Sequence, residues 1–221
     1  VRREAALDGS DGLTAQVREL YGKAIVAYER VFVDKGEEML VSQLRNVAAA
    51  QLTLGNMTEA ASFSERAIAS HPEEASLRDI YARALYDSGQ ISEAVTALSA
   101  IEEIDPDWPN LHLRMASWLT EEGRIEDAVP VLESAVAHGA TPDQAANMIF
   151  SFAYSNYVQP QEKNYSRFIE LVLLAKEFEV GLEAREQYDF WHGYSIFTLA
   201  IEAQTAEDVA GANRSLPMFR Q

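Results

Sequence analysis

The chain has 221 residues, 48% of them hydrophobic and 24% charged, which fits one globular domain or two small ones and argues against a disordered chain. Thirty-five Asp and Glu against 18 Lys and Arg leave a net charge of −17; nucleic acid and anionic membrane are poor partners for such a chain, because both need a basic patch. There is no cysteine, so disulfides, thiolate nucleophiles and Cys-ligated metals are excluded together. The longest uncharged run, 144–161, is interrupted by Asn, Gln, Ser and Pro, and hydrocarbon would not accept it as a span. The chain begins at Val1 without an initiator Met. We therefore expect a trimmed N-terminus, with a cytoplasmic and a bacterial periplasmic location both open.

Residues 15–34 carry apolar side chains at Val17, Leu20, Tyr21, Ala24, Ile25, Tyr28, Val31 and Phe32, a helical stripe. An internal repeat follows. Leu54-Gly55-Asn56-Met57-Thr58-Glu59-Ala60, Ser88-Gly89-Gln90-Ile91-Ser92-Glu93-Ala94 and Glu122-Gly123-Arg124-Ile125-Glu126-Asp127-Ala128 stand 34 residues apart. Ala48, Ala82 and Ala116 recur at the same period, as do Pro72 and Pro106, with Ala140 in the third position. Each glycine follows a helical stretch, where a left-handed cap reverses the chain. Thr58 and Ser92 are read as N-caps of the next helix, and Pro72 and Pro106 as its stops. Ala60, Ala94 and Ala128 are small enough for the second helix to lie close on the first. Beyond 142, the pattern predicts a helix over 143–157 capped by Thr141 and Pro142, a break at 158–161, helices over 163–178 and 184–203, and a further one starting near 206. No strand pattern appears.

A 34-residue helix–turn–helix unit with Ala60, Ala94 and Ala128 in its small-residue slot and Pro72 and Pro106 in its proline slot resembles the tetratricopeptide repeat family. The resemblance covers 41–142. It implies an all-α, right-handed α-solenoid of four to six antiparallel helix pairs. Three repeats span 41–74, 75–108 and 109–142, between an N-terminal helical segment (1–36) and an aromatic-rich C-terminal part (143–221). In such proteins the first helix of each pair lines a concave groove. Stepping along those helices selects Ser42, Arg45, Ala49 and Leu52; Ser76, Asp79, Arg83 and Tyr86; and Asn110, Leu113, Ser117 and Thr120, with Arg114 at the edge. Arg45, Asn110 and Arg114 fall at positions where some family members hold a peptide carboxylate. Ala49 and Ile80 occupy the Asn slots of that clamp, which leaves at most a partial cationic site.

Catalytic motifs are absent: no nucleophile elbow, phosphate loop, dinucleotide fingerprint or His-Glu-x-x-His. His71, His112, His138 and His192 are scattered, and no metal or cofactor pattern emerges. Glu73-Glu74, Glu102-Glu103 and Glu121-Glu122 read as solvated faces, and the sequons at Asn56, Asn164 and Asn213 as coincidence. Residues 150–197 hold 12 of the 21 aromatic residues, which reads first as packed core. Three functions compete. The leading one is a non-enzymatic module that binds a protein or peptide in the groove, or another domain of its own chain. The second is a self-assembling module using the aromatic C-terminal helices. The third is a small-molecule sensor whose pocket gathers Tyr154, Tyr165, His192 and Tyr194.

Overall fold

A computed structural model describes residues 14–35 and 39–205. Ten helices are formed among them: α1 (Ala15–Lys35), α2 (Val41–Thr53), α3 (Met57–Ser70), α4 (Ala75–Asp87), α5 (Ile91–Glu102), α6 (Leu111–Glu121), α7 (Ile125–Ala137), α8 (Pro142–Tyr157), α9 (Tyr165–Lys176) and α10 (Leu182–Thr205). No strand occurs among the described residues. The further helix expected from 206 lies outside them. The chain divides into two compact units, Val1–Leu111 and His112–Gln221, and the division falls at the start of the third 34-residue period.

The turns carry the repeat. Gly55, Gly89 and Gly123 have φ of 80°, 81° and 80°, the left-handed region that a side chain resists. Each is followed by the same pair of bonds: Gly55 N–H to Leu52 O and Asn56 N–H to Gln51 O, both at 3.0 Å, with counterparts at Gly89–Gln90 and Gly123–Arg124. This Schellman closure satisfies carbonyls that the helix end leaves open. It also corrects the expected N-caps. The second helices begin at Met57, Ile91 and Ile125, directly after the closure, so Thr58 and Ser92 lie inside the first turn. Their capping residues are Asn56, Gln90 and Arg124, none of which accepts a capping bond. The first turns instead carry Glu59, Glu93 and the pair Glu126 and Asp127, which favour the positive end of the helix dipole. The third unit replaces its missing proline with a second glycine closure: Gly139 has φ 98°, and Ala140 N–H bonds Ala135 O at 2.9 Å.

In the first unit, α1 packs on α2, α2 on α3 and α4, α3 on α4, and α4 on α5. Phe63, Leu44, Val47, Ala48 and Leu77 form its core with Ile25 and Met39. Gln51 is buried, donates to Glu29 Oε1 at 3.2 Å and accepts from Asn56 Nδ2 at 2.8 Å. The repeat alanines Ala60, Ala94 and Ala128 are all fully buried, as close helix packing requires.

The second unit holds α6 to α10, with α7 on α8, α8 on α9, and α10 on both α8 and α9. The His112 and His138 rings stack at 4.5 Å between α6 and α7. Thr141 and Gln144 cap α8 reciprocally, at 3.2 Å and 2.9 Å, with Pro142 at its first position, as expected from the sequence.

The aromatic residues divide into two sets. Phe150, Phe168 and Tyr188 are buried and stack or meet edge-on at 4.8 Å (Phe150–Tyr188) and 5.9 Å (Phe150–Phe168). Tyr154 and Trp191 close the cluster, 4.9 Å apart. Phe190, Tyr194 and Phe197 are exposed instead. They lie on the outward side of α10, because the residues it buries, Tyr188, His192, Ser195 and Ile196, define the opposite face.

Candidate functional site

In the first unit, the proposed groove residues lie on α2 and α4, two first helices that pack on each other. Ser42, Arg45 and Arg83 are exposed, and Ala49, Leu52, Ser76, Asp79 and Tyr86 are half-buried. The Arg83 guanidinium donates to both carboxylate oxygens of Asp87, one turn on, at 3.0 and 2.9 Å. A pair this exposed contributes well under about 1 kcal/mol, but it occupies the group that the sequence suggested for a partner.

The second unit contains an open groove of about 930 Å³ between α6 and α8. Its α6 wall holds Leu113, Ser117, Thr120 and Glu121, and its α8 wall holds Gln144, Asn147, Met148, Ser151, Phe152, Ser155, Asn156 and Tyr157. Leu113, Ser117 and Thr120 were expected on this surface; the α8 wall was not. The signal for it lies in the period. Adding 34 to 113, 117 and 121 gives Asn147, Ser151 and Ser155, so α8 presents the same register one period on. Its aromatic composition hides that continuation.

Amides and hydroxyls dominate the wall chemistry, with Leu113, Met148, Phe152 and Tyr157 as apolar contacts. Phe152 is half-buried and meets Tyr157 edge-on at 6.1 Å. The Thr120 hydroxyl donates to Ala116 O at 2.7 Å, so its lone pairs remain for a donor. Ser117 Oγ donates to Glu121 at 3.2 Å. No Lys or Arg lines the groove. Arg124 sits beside its rim, where its guanidinium is engaged by Asp127 at 2.7 Å and Glu122 at 3.3 Å.

Arg114 does not line the groove; its guanidinium carbon lies 5.6 Å from the centre of the Trp118 ring. Asn110 precedes α6, in the turn after Trp108-Pro109, with φ 56°, a conformation that Asn tolerates well. Three of the four residues suggested for an aromatic pocket belong to one ring network, in which Trp191 joins Tyr194, at 5.6 Å, to Tyr154, at 4.9 Å. Tyr165 meets Tyr194 at 6.1 Å, and burial, with Tyr194 beside it, pushes the Tyr165 phenol pKa up. Tyr154 belongs to the buried cluster with Trp191. His192 is buried on the face of α10 opposite Tyr194.

His192 Nε2 has no hydrogen-bond partner among the described residues. Burial lowers its pKa below the ordinary 6.5, Lys176 adds to the effect, and Asp189 opposes it. The fold holds the neutral ring, so unfolding takes up a proton in acid. This stability is present above about pH 6.5 and is lost as the pH falls below it. Wild type should therefore lose melting temperature relative to His192→Leu between about pH 7.5 and 5.5. Parallel melting curves across that range would remove His192 as the source.

The fold defines a class, the all-helical α-solenoid built of helix hairpins. The tetratricopeptide repeat family model matches residues 51–117. Residues 51–117 thus match tetratricopeptide repeats in the stretch where the 34-residue period runs. A TPR repeat-containing thioredoxin of Arabidopsis thaliana, TTL4, is 36% identical over 91 residues, which make up 41% of this chain but 13% of that protein. The crystal structure of MamA superposes with a TM-score of 0.54 at 14% identity, covering 74% of this chain and 91% of MamA. A second MamA structure, MSR-1 C2, gives 0.50 at 18% identity, covering 80% and 90%. Tetratricopeptide repeats serve as protein–protein interaction scaffolds as a class. Among the described residues, no helix is long and apolar enough to cross a membrane.

Proposed function

We propose that this chain is a non-enzymatic interaction module that seats an extended segment of a protein partner in the α6–α8 groove. The observation that carries the reading is the groove itself, about 930 Å³ with two walls in one 34-residue register. An extended segment brings an unpaired N–H and C=O at nearly every residue. Asn147 offers both a donor and an acceptor, Gln144 its amide N–H groups and Asn156 its amide oxygen, and the hydroxyls of Ser151 and Ser155 serve in either role. Met148 and Phe152 supply the apolar anchors that hold a side chain between such bonds. With Glu121 and Glu122 at the rim, a carboxylate-bearing chain end is disfavoured and a neutral or basic segment favoured. On this reading Ser42, Arg45, Ala49, Leu52, Ser76, Asp79, Arg83 and Tyr86 form a comparable surface on the first unit.

The test is capture from a lysate of the source organism, followed by titration of the identified segment against the purified chain. Asn147→Ala together with Phe152→Ala should weaken that binding at least about tenfold while the melting temperature stays close to wild type. Unchanged affinity in this variant overturns the groove assignment.

A further inference from the structure

The outward face of α10 carries Phe190, Tyr194, Phe197 and Ile201, which are 64%, 44%, 57% and 46% exposed. They follow one another at steps of four, three and four residues, so they form one continuous stripe along the helix. No Asp, Glu, Lys or Arg occurs between Phe190 and Ile201, and His192, the one titratable side chain within the stretch besides Tyr194, is turned into the core. Tyr194 is braced from below by Trp191 at 5.6 Å and Tyr165 at 6.1 Å, and Phe190 stacks on Tyr194 at 6.4 Å. The stripe is therefore a supported surface and not a row of loose side chains. At about 200 Å² per large side chain, the stated exposures leave roughly 400 Å² of apolar area, the size at which a patch is commonly functional.

We propose that this stripe is the interface of a homodimer, in which α10 of a second copy lies antiparallel on α10 of the first. The orientation follows from the charges. Among the described residues, the outer face carries Glu183 and Glu186 before the stripe and Gln204 and Thr205 after it; all four are exposed. Parallel helices would set Glu183 and Glu186 against their own copies. In the antiparallel register centred between Ser195 and Ile196, Phe190 faces the partner's Ile201 and Tyr194 faces the partner's Phe197. Glu186 then faces the partner's Thr205, and Gln187 the partner's Gln204. Opposed helix dipoles add to the preference. One patch used twice gives a closed two-fold dimer, the commonest oligomer. Covering it on both copies removes roughly 800 Å² of apolar surface, and the flanking polar side chains add to this. Such an area places the pairing at the weak end of specific interfaces.

Sedimentation of the full chain across a concentration series tests this. Wild type should pass from monomer to dimer and stop there. Phe190→Glu with Phe197→Glu should raise the dissociation constant at least about tenfold, with helicity and melting temperature retained because both side chains face outward. Wild type that stays monomeric throughout overturns the proposal, as does growth beyond a dimer, which would mean that the stripe meets a different surface. Orientation is read separately, and the absence of native cysteine makes the readout free of background. Gln187→Cys chains mixed with Gln204→Cys chains should give mixed disulfides in excess over either like pair under mild oxidation. An excess of like pairs overturns the antiparallel arrangement.

Discussion

Phe168→Ala is expected to destabilise the second unit by about 3–5 kcal/mol. The Phe168 ring is fully buried and meets Phe150 at 5.9 Å, Trp191 at 6.4 Å and Tyr154 at 6.5 Å. Neighbours of this size sit on two helices, α8 and α10, and cannot collapse into the space left by a removed ring, so the cavity cost adds to the lost transfer energy. Urea unfolding followed by tryptophan fluorescence checks it, since Trp191 lies against the site. Phe168→Leu, which retains most of the volume, should cost about 1 kcal/mol. A loss below about 1 kcal/mol for the alanine variant would mean that the aromatic cluster is not the core described here. The change also bears on the groove: Phe150 and Tyr154 project from the rear of α8, whose front forms one groove wall.

Ala94→Leu should destabilise the first unit by about 1–3 kcal/mol or more. Ala94 is completely buried in the first turns of α5, which packs on α4. Three further carbons there must either adopt a strained rotamer or push the two helices apart. Because Leu is as good a helix former as nearly any residue, a loss of stability is a packing effect and not a propensity effect. Ala69→Leu on α3, where the side chain is exposed, should change stability by no more than about 0.5 kcal/mol. Equal effects at the two positions would contradict the role assigned to the small-residue slot.

The hairpin architecture was legible in the sequence because its punctuation is local. A glycine that must adopt positive φ, a small residue that must fit between helices and a stop after the second helix all mark the chain at fixed intervals, so helix ends fall close to where the pattern places them. The exact starts of α3 and α5 were less legible. Thr58 and Ser92 have good capping chemistry, but the Schellman closure at Gly55 and Gly89 starts the helix earlier than a side-chain cap would. The site was half legible. Leu113, Ser117 and Thr120 follow from the face count on α6. Asn147, Ser151 and Ser155 continue the same period on α8, among aromatic residues that read as core. Composition also merged two populations on α10. Tyr188 and Phe190 are both aromatic and two residues apart, and helical geometry sends one into the core and the other outward. The direction of Arg114 onto Trp118 depends on packing that no spacing rule reports.

The packing order within each unit shapes how the chain comes to be folded. The contacts described join helices that are neighbours in sequence or one removed, so no long loop must be closed before a contact forms, and topologies of this kind fold in microseconds to milliseconds. Synthesis at about 5–20 residues per second delivers a new 34-residue unit roughly every 2–7 seconds. Each hairpin thus has ample time to settle on its predecessor before the next emerges. Within each unit the nascent chain grows hairpin by hairpin, its newest apolar edge always the one awaiting cover, and that exposure lasts seconds at each step.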